Sequence, residues 1–156
     1  RDCMAHKILD KLDQQRRETW AVVESLSEED LARPVDGNWT VRNVLTHLLN
    51  AEEDHCRVIA VAVRGEVDKL AAPFELDGHN QARLEARGAL SHAQLLEGLT
   101  AQRERTTKLF AEVGEAQLDH EVPHPALGET TVGKIFRIIG LHEKMHLKEI
   151  VDALQR

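Results

Sequence analysis

The chain has 156 residues, of which 30% are charged and 3% aromatic, and its formal net charge is −7. That length fits one domain spanning residues 1–156 with enough chain to bury a core. Acid outweighs base and no basic stripe is visible, which argues against a nucleic-acid partner. No apolar run approaches the roughly 18 residues of a membrane span and no leader peptide is evident.

The first helical segment is expected from about Met4 to Leu26, with Met4, Ile8, Leu12, Thr19 and Val23 near one face. The second begins at Thr40, a natural N-cap, and repeats apolar positions at Val41, Val44, Leu45, Leu48, Ile59 and Val63. The stretch from Gly65 to Ala89 contains Gly65, Pro73, Gly78 and Gly88 and is too long for a tight helix hairpin. It reads as a long crossover between helices 2 and 3, of the kind that walls or covers a site. The third helix starts at a Ser91–Gln94 capping box and carries Leu95, Leu99, Leu109 and Val113. The last starts at Thr130 or Thr131 and runs through Val132, Ile135, Phe136, Ile139, His146, Ile150 and Leu154. No segment alternates with period two, so no sheet is expected. The fold class is all-α, a four-helix bundle.

An internal echo accompanies the helices. The segment from Ser25 to Leu49 resembles the one from Glu112 to Ile139 in its acidic mini-helix, its Val-Pro-like turn and its Thr-Val helix start. Two helix pairs related by a pseudo-twofold are the simplest account.

Near the C-terminus, His142-Glu143-Lys144-Met145-His146 has the H-E-x-x-H spacing of zinc proteases. An i, i+4 pair can put two imidazoles on one metal, and a third ligand from another helix leaves an open position. By helical phase, His47, His142 and His146 all fall to one side of the inward stripe. At ~1.5 Å rise per residue, His47 lies roughly 10 Å along its helix, and antiparallel packing brings His146 and His142 to about 14 and 20 Å on the same scale. The three histidines are therefore candidate ligands. Zn²⁺ suits them best, with Ni²⁺, Fe²⁺ and Mn²⁺ as alternatives. His55 is read as a core or satellite histidine, and His6, His79, His92, His120 and His124 as loop, cap or surface residues.

A protease is excluded. Ten residues follow His146, and they hold neither a histidine nor a far-downstream glutamate; Asp152, at one of the usual spacings, lacks its preceding glycine. Glu143 points close to the buried stripe, with Glu52 at the matching place in the second helix. Buried carboxylates need partners. Glu143 is thus a candidate catalytic base toward metal-bound water, or else orients a histidine or pairs with an arginine. Cys3 and Cys56 make no disulfide framework, in keeping with a reducing cytoplasm; Cys56 reads as a small core residue and Cys3 as incidental.

The stretches "GNWTVRNVLTHLLNAEEDH", "LDGHNQARLE" and "HPALGETTVGKIFRIIGLHEKMHLKEI" together resemble the DinB-like superfamily, also called YfiT-like proteins. The likeness covers nearly the whole chain. It implies an up-down-down-up bundle with a pseudo-twofold, and a metal triad at His47, His142 and His146, all three of which are present. It also implies thiol-dependent S-transfer or isomerisation with low-molecular-weight thiols such as bacillithiol or mycothiol. The expectation is a metal-dependent small-molecule enzyme, foremost a thiol-dependent transferase with the thiol as co-substrate. A metal-assisted hydrolase using Glu143 and a non-catalytic metal- or ligand-binding bundle are the alternatives. Arg83, Arg87 and Asn80 on the crossover are candidates for the rim that receives the thiol's charged groups. The protein is expected in the cytoplasm, away from membranes, with exposed apolar helix positions available for a homodimer.

Overall fold

Four long helices, α1 (Asp2–Val23), α3 (Val41–Val63), α5 (His92–Val113) and α6 (Val132–Leu154), form the bundle in this computed structural model. It describes residues 2–70, 75–124 and 126–156, with side chains from Ala5 onward; the side chains of Cys3 and Met4, and Pro73, lie outside the described residues. Three of the helix starts follow from their caps. Thr40 accepts from the Asn43 amide and Ser91 from the Gln94 amide, both as reciprocal capping boxes, and Thr131 accepts from the Lys134 amide. The first helix stops at Val23, short of the expected Leu26. A four-residue helix, α2 (Glu28–Leu31), follows behind its own cap at Ser27.

Helix directions follow from residue pairs. Leu12 lies against Gly140 and Thr19 against Glu143, so α1 and α6 run parallel. Leu49 against Gly98, Glu52 against Arg103 and Cys56 against Thr106 make α3 and α5 parallel as well. Between the two pairs the sense reverses, since Val41 shares a core with Ile150 while Ile59 shares one with Val132 and Ile135. The order is up-down-down-up.

The apolar core lies in two blocks. One gathers Ile8, Leu12, Ile59, Phe110 and Phe136, with the two phenyl rings edge to face at 5.0 Å; Cys56 packs against it. The other gathers Val23, Leu31, Val41, Leu45, Leu95 and Ile150. Between the blocks runs a buried polar belt of Arg16, Thr19, Glu52, Arg103, Thr106 and Glu143.

Two expectations require correction. The chain does contain sheet: β1 (Pro34–Asp36) pairs antiparallel with β2 (Trp39–Thr40), and β3 (Glu121–His124) with β4 (Gly128–Thr131). Strands of two to four residues are too short for alternation to register in sequence. Each hairpin feeds directly into a helix and closes with the same bond. The Val41 amide donates to the Arg33 carbonyl, and the Val132 amide to that of His120. The repeat therefore extends to the hairpins, but Val41 stands eight positions after Arg33 and Val132 twelve after His120, so the second hairpin is four residues longer.

The crossover, expected as loop, contains a helix, α4 (Leu76–Arg87), capped by the Glu75 carboxylate and ended at Gly88 with φ +76°. Leu84 is its one buried residue among those described, so apolar periodicity could not announce it. Ion pairs dock it on α3: Arg83 reaches Glu53 and Asp54, and Arg87 reaches Glu53 and Asn50.

Candidate metal centre

His47 projects from α3 toward α6, where His142 and His146 stand one turn apart. Their Nε2 atoms converge: His47 to His142 is 3.1 Å, His142 to His146 is 3.0 Å, and all three lie within 4.8 Å of one another. The i, i+4 spacing on α6 and the antiparallel pairing with α3 create this convergence, so the structure brings together all three histidines expected from sequence.

Their chemistry suits a metal. The His146 Nδ1–H donates to Glu149 Oε2 at 2.8 Å, which leaves its Nε2 lone pair facing the other two rings. A carboxylate behind a ligating imidazole is the usual support of a metal site. Burial, then the neighbouring His146 and His55 rings, lowers His47 to about 4. Burial, then His146, His47, His55 and His124, lowers His142 to about 2. Both are neutral at physiological pH, as ligation requires. Three convergent imidazole nitrogens form a donor set that could hold a divalent metal ion.

The centre lies between two hollows. His47 and His142 border a cavity of about 240 Å³, whose other walls include Ala51, His55, Leu76, His124, Leu127 and Ile138. His146 borders a wider groove of about 460 Å³ with Trp39 and Glu149. Asn80 of α4 lines both, and the Trp39 ring lies 5.1 Å from that of His47. The crossover is therefore a wall of the site, as expected of it. Of its candidate rim residues only Asn80 faces the hollows; Arg83 and Arg87 are held by acids of α3.

Glu143 faces away from the triad. Its Oε1 accepts from Arg16 at 2.9 Å and Arg103 at 3.0 Å, and its Oε2 accepts from Thr19 at 2.8 Å. Burial pushes its carboxyl upward, but the Arg16 and Arg103 guanidinium groups and the Thr19 bond outweigh that and hold it below the usual carboxylate range. Among the described residues none of its hydrogen bonds reaches a histidine. Of the roles open to it from sequence, the structure displays the arginine pairing.

A second histidine pair adjoins the centre. His55 and His124 lie with their ring planes 13° apart and centroids 5.2 Å apart, meeting edge to edge with their Nε2 atoms at 3.0 Å, and His55 lies 6.5 Å from the His142 ring. Burial lowers His55 to about 4 and lowers His124 as well. Sequence reasoning placed His55 in the core and His124 on a loop or the surface. The signal it passed over is the extra length of the second hairpin, which carries His124 inward. Of the remaining histidines, His79 lies 3.0 Å from an Asp54 oxygen, and His92 binds the Val23 carbonyl at 2.8 Å.

Comparison with known proteins agrees with the fold. YuaE, an uncharacterized protein of Bacillus subtilis (strain 168), is 30% identical over 154 residues, covering 90% of this chain and 95% of its own. TT2238, a four-helix bundle protein of known crystal structure, superposes with a TM-score of 0.71 at 23% identity, over 95% of this chain and 98% of its own. YfiT from Bacillus subtilis, described as a probable metal-dependent hydrolase with an unusual four-helix bundle topology, gives 0.77 at 18% identity, over 97% and 86%. The family model for the DinB superfamily matches residues 11–150, and the chain belongs to that superfamily.

Proposed function

We propose that the protein is a metal-dependent enzyme acting on a small molecule, with His47, His142 and His146 as the ligands. The observation that carries this is the convergence of three buried or half-buried Nε2 atoms beside a cavity of small-molecule size. A divalent metal bound there, Zn²⁺ or Ni²⁺ foremost, would supply Lewis acidity to a coordinated thiol or water, lowering its pKa.

Thiol-dependent transfer is the reading we favour. Glu143, the one carboxylate within the H-E-x-x-H motif, is committed to Arg16 and Arg103. A thiol, with an ordinary pKa near ~8.5, needs far less help from a base than water does. Leu76, Leu127 and Ile138 give the cavity an apolar wall suited to the carbon body of an electrophile, while Asn80 offers a polar contact. Glu149 fixes the tautomer of His146, and Trp39 packs against the His47 ring. The test is consumption of a low-molecular-weight thiol with 1-chloro-2,4-dinitrobenzene by metal-loaded protein. Turnover that disappears in His142→Ala supports the reading, and thiol consumption no faster than in buffer contradicts it.

The likeness to YfiT favours hydrolysis as the second reading. It predicts turnover of an ester or amide without added thiol. Leu141 and Met145, both exposed on α6, support the expected homodimer, which sedimentation at micromolar protein would detect. No helix among the described residues is long and apolar enough to cross a membrane.

A further inference from the structure

The second histidine pair has a direction built into it. The Ala126 backbone N–H donates to His124 Nδ1 at 3.0 Å, so that nitrogen holds a lone pair and the ring proton resides on Nε2. His124 Nε2–H therefore donates to His55 Nε2 across their 3.0 Å contact, and the His55 proton resides on Nδ1. The hairpin backbone thus fixes His124 as a neutral imidazole whose one donor points into the interior. His124 and His55 both line the cavity that His47 and His142 border.

From this geometry we infer that His124 is the hydrogen-bond donor to an oxygen of the substrate bound beside the metal centre, with His55 as the acceptor that keeps the donor satisfied when the cavity is free. The inference rests on the reading of the triad as a metal centre. It narrows the substrate to a small molecule with a carbonyl or carboxylate oxygen on an apolar body, since Leu76, Leu127 and Ile138 face the same space. An oxygen that takes the place of His55 Nε2 exchanges one acceptor for another, so His124 need not give up a bond without replacement. A neutral donor of this kind polarises a carbonyl without first losing a proton, and its tautomer is set by a main-chain amide that does not titrate.

The test uses Co²⁺-substituted full-length protein, whose visible absorption reports ligands entering the centre. Acetate is titrated as the oxygen probe and ethanethiol, which has no oxygen, as the control. His124→Phe should weaken acetate about tenfold or more while leaving ethanethiol unchanged, and His124→Gln, which retains an N–H, should recover part of the loss. Nitrogen-15 spectra of the metal-free parent should show His124 protonated at Nε2 and bare at Nδ1. Equal acetate affinity in parent and His124→Phe, no acetate binding to the parent, or a proton on Nδ1 would each overturn the inference while leaving the metal centre intact. Failure of the parent to take up Co²⁺ would instead overturn the metal reading and this inference with it.

Discussion

Arg16 and Arg103 are reciprocal. Arg16 donates to the carbonyl of Leu99 at 2.8 Å, and Arg103 donates to that of Leu12 at 2.9 Å, so each reaches the residue four positions before the other. The carboxylates obey the same exchange: Thr19 donates to Glu143 and Thr106 to Glu52. Two Arg-x-x-Thr segments and two glutamates close a ring across all four long helices.

Breaking that ring should cost stability rather than metal. Glu143→Gln leaves two largely buried guanidinium groups short of one counter-charge, which for a buried pair costs about 3–5 kcal/mol. Glu143 is 3% exposed, so solvent will not compensate. Urea unfolding should show the loss while metal stoichiometry stays at the parent value. A variant of unchanged stability without turnover would return Glu143 to the role of base.

Metal uptake should need all three imidazoles. His47→Ala and His142→Ala should each abolish stoichiometric Zn²⁺, and Glu149→Gln should weaken it about 10- to 100-fold through the His146 tautomer. In the parent, Zn²⁺ at a hundred times its Kd should add about 2.7 kcal/mol to stability. Calorimetry with and without Zn²⁺ checks this.

Acid should unfold the metal-free protein earlier than its carboxylates alone would require. His47 and His55 fall to about 4 in the fold, against an ordinary 6.5. The unfolded chain therefore takes up more protons than the native one between those values, and stability declines as pH falls through that window. Each contributes a slope of up to about 1.4 kcal/mol per pH unit. His142 deepens the decline, since it is lowered further, to about 2. The charged and titratable groups bearing on them are His146, His142 and His124 opposite, with Asp54 and Glu52 on their own helix. Denaturant midpoints that stay flat from pH 6.5 to 5 would show these rings already charged in the fold.

Gly128 should matter through its backbone alone. It holds φ +70° opposite His124, and a Cβ there would meet nothing within 4 Å. Gly128→Ala should cost about 1 kcal/mol or more from the left-handed conformation. It should also disturb the His124 ring resonances before those of His146.

Much of this was legible in the residues. Thr40, Ser91 and Thr131 announced helix starts by chemistry that acts within three residues, and the His142–His146 spacing announced a shared face. Glu143 could be recognised as needing a partner, but not which one, because Arg16 is 127 residues away and only the packed bundle joins them. Helix α4 was hidden for the opposite reason. Ion pairs to Glu53 and Asp54 hold it, and charged contacts leave no apolar period to read. His124 depended on a difference in hairpin length between two halves that sequence displayed only as a loose echo.

That difference divides the molecule into two parts. The buried ring and the three converging histidines are carried by helices that must fit one another. The second hairpin, four residues longer than the first, contributes no residue to that ring. His124 and Leu127 reach the cavity from this hairpin, so its length sets which side chains enter that space. If the proposed function holds, the turn that enters the last helix is the part of the bundle placed to select the substrate.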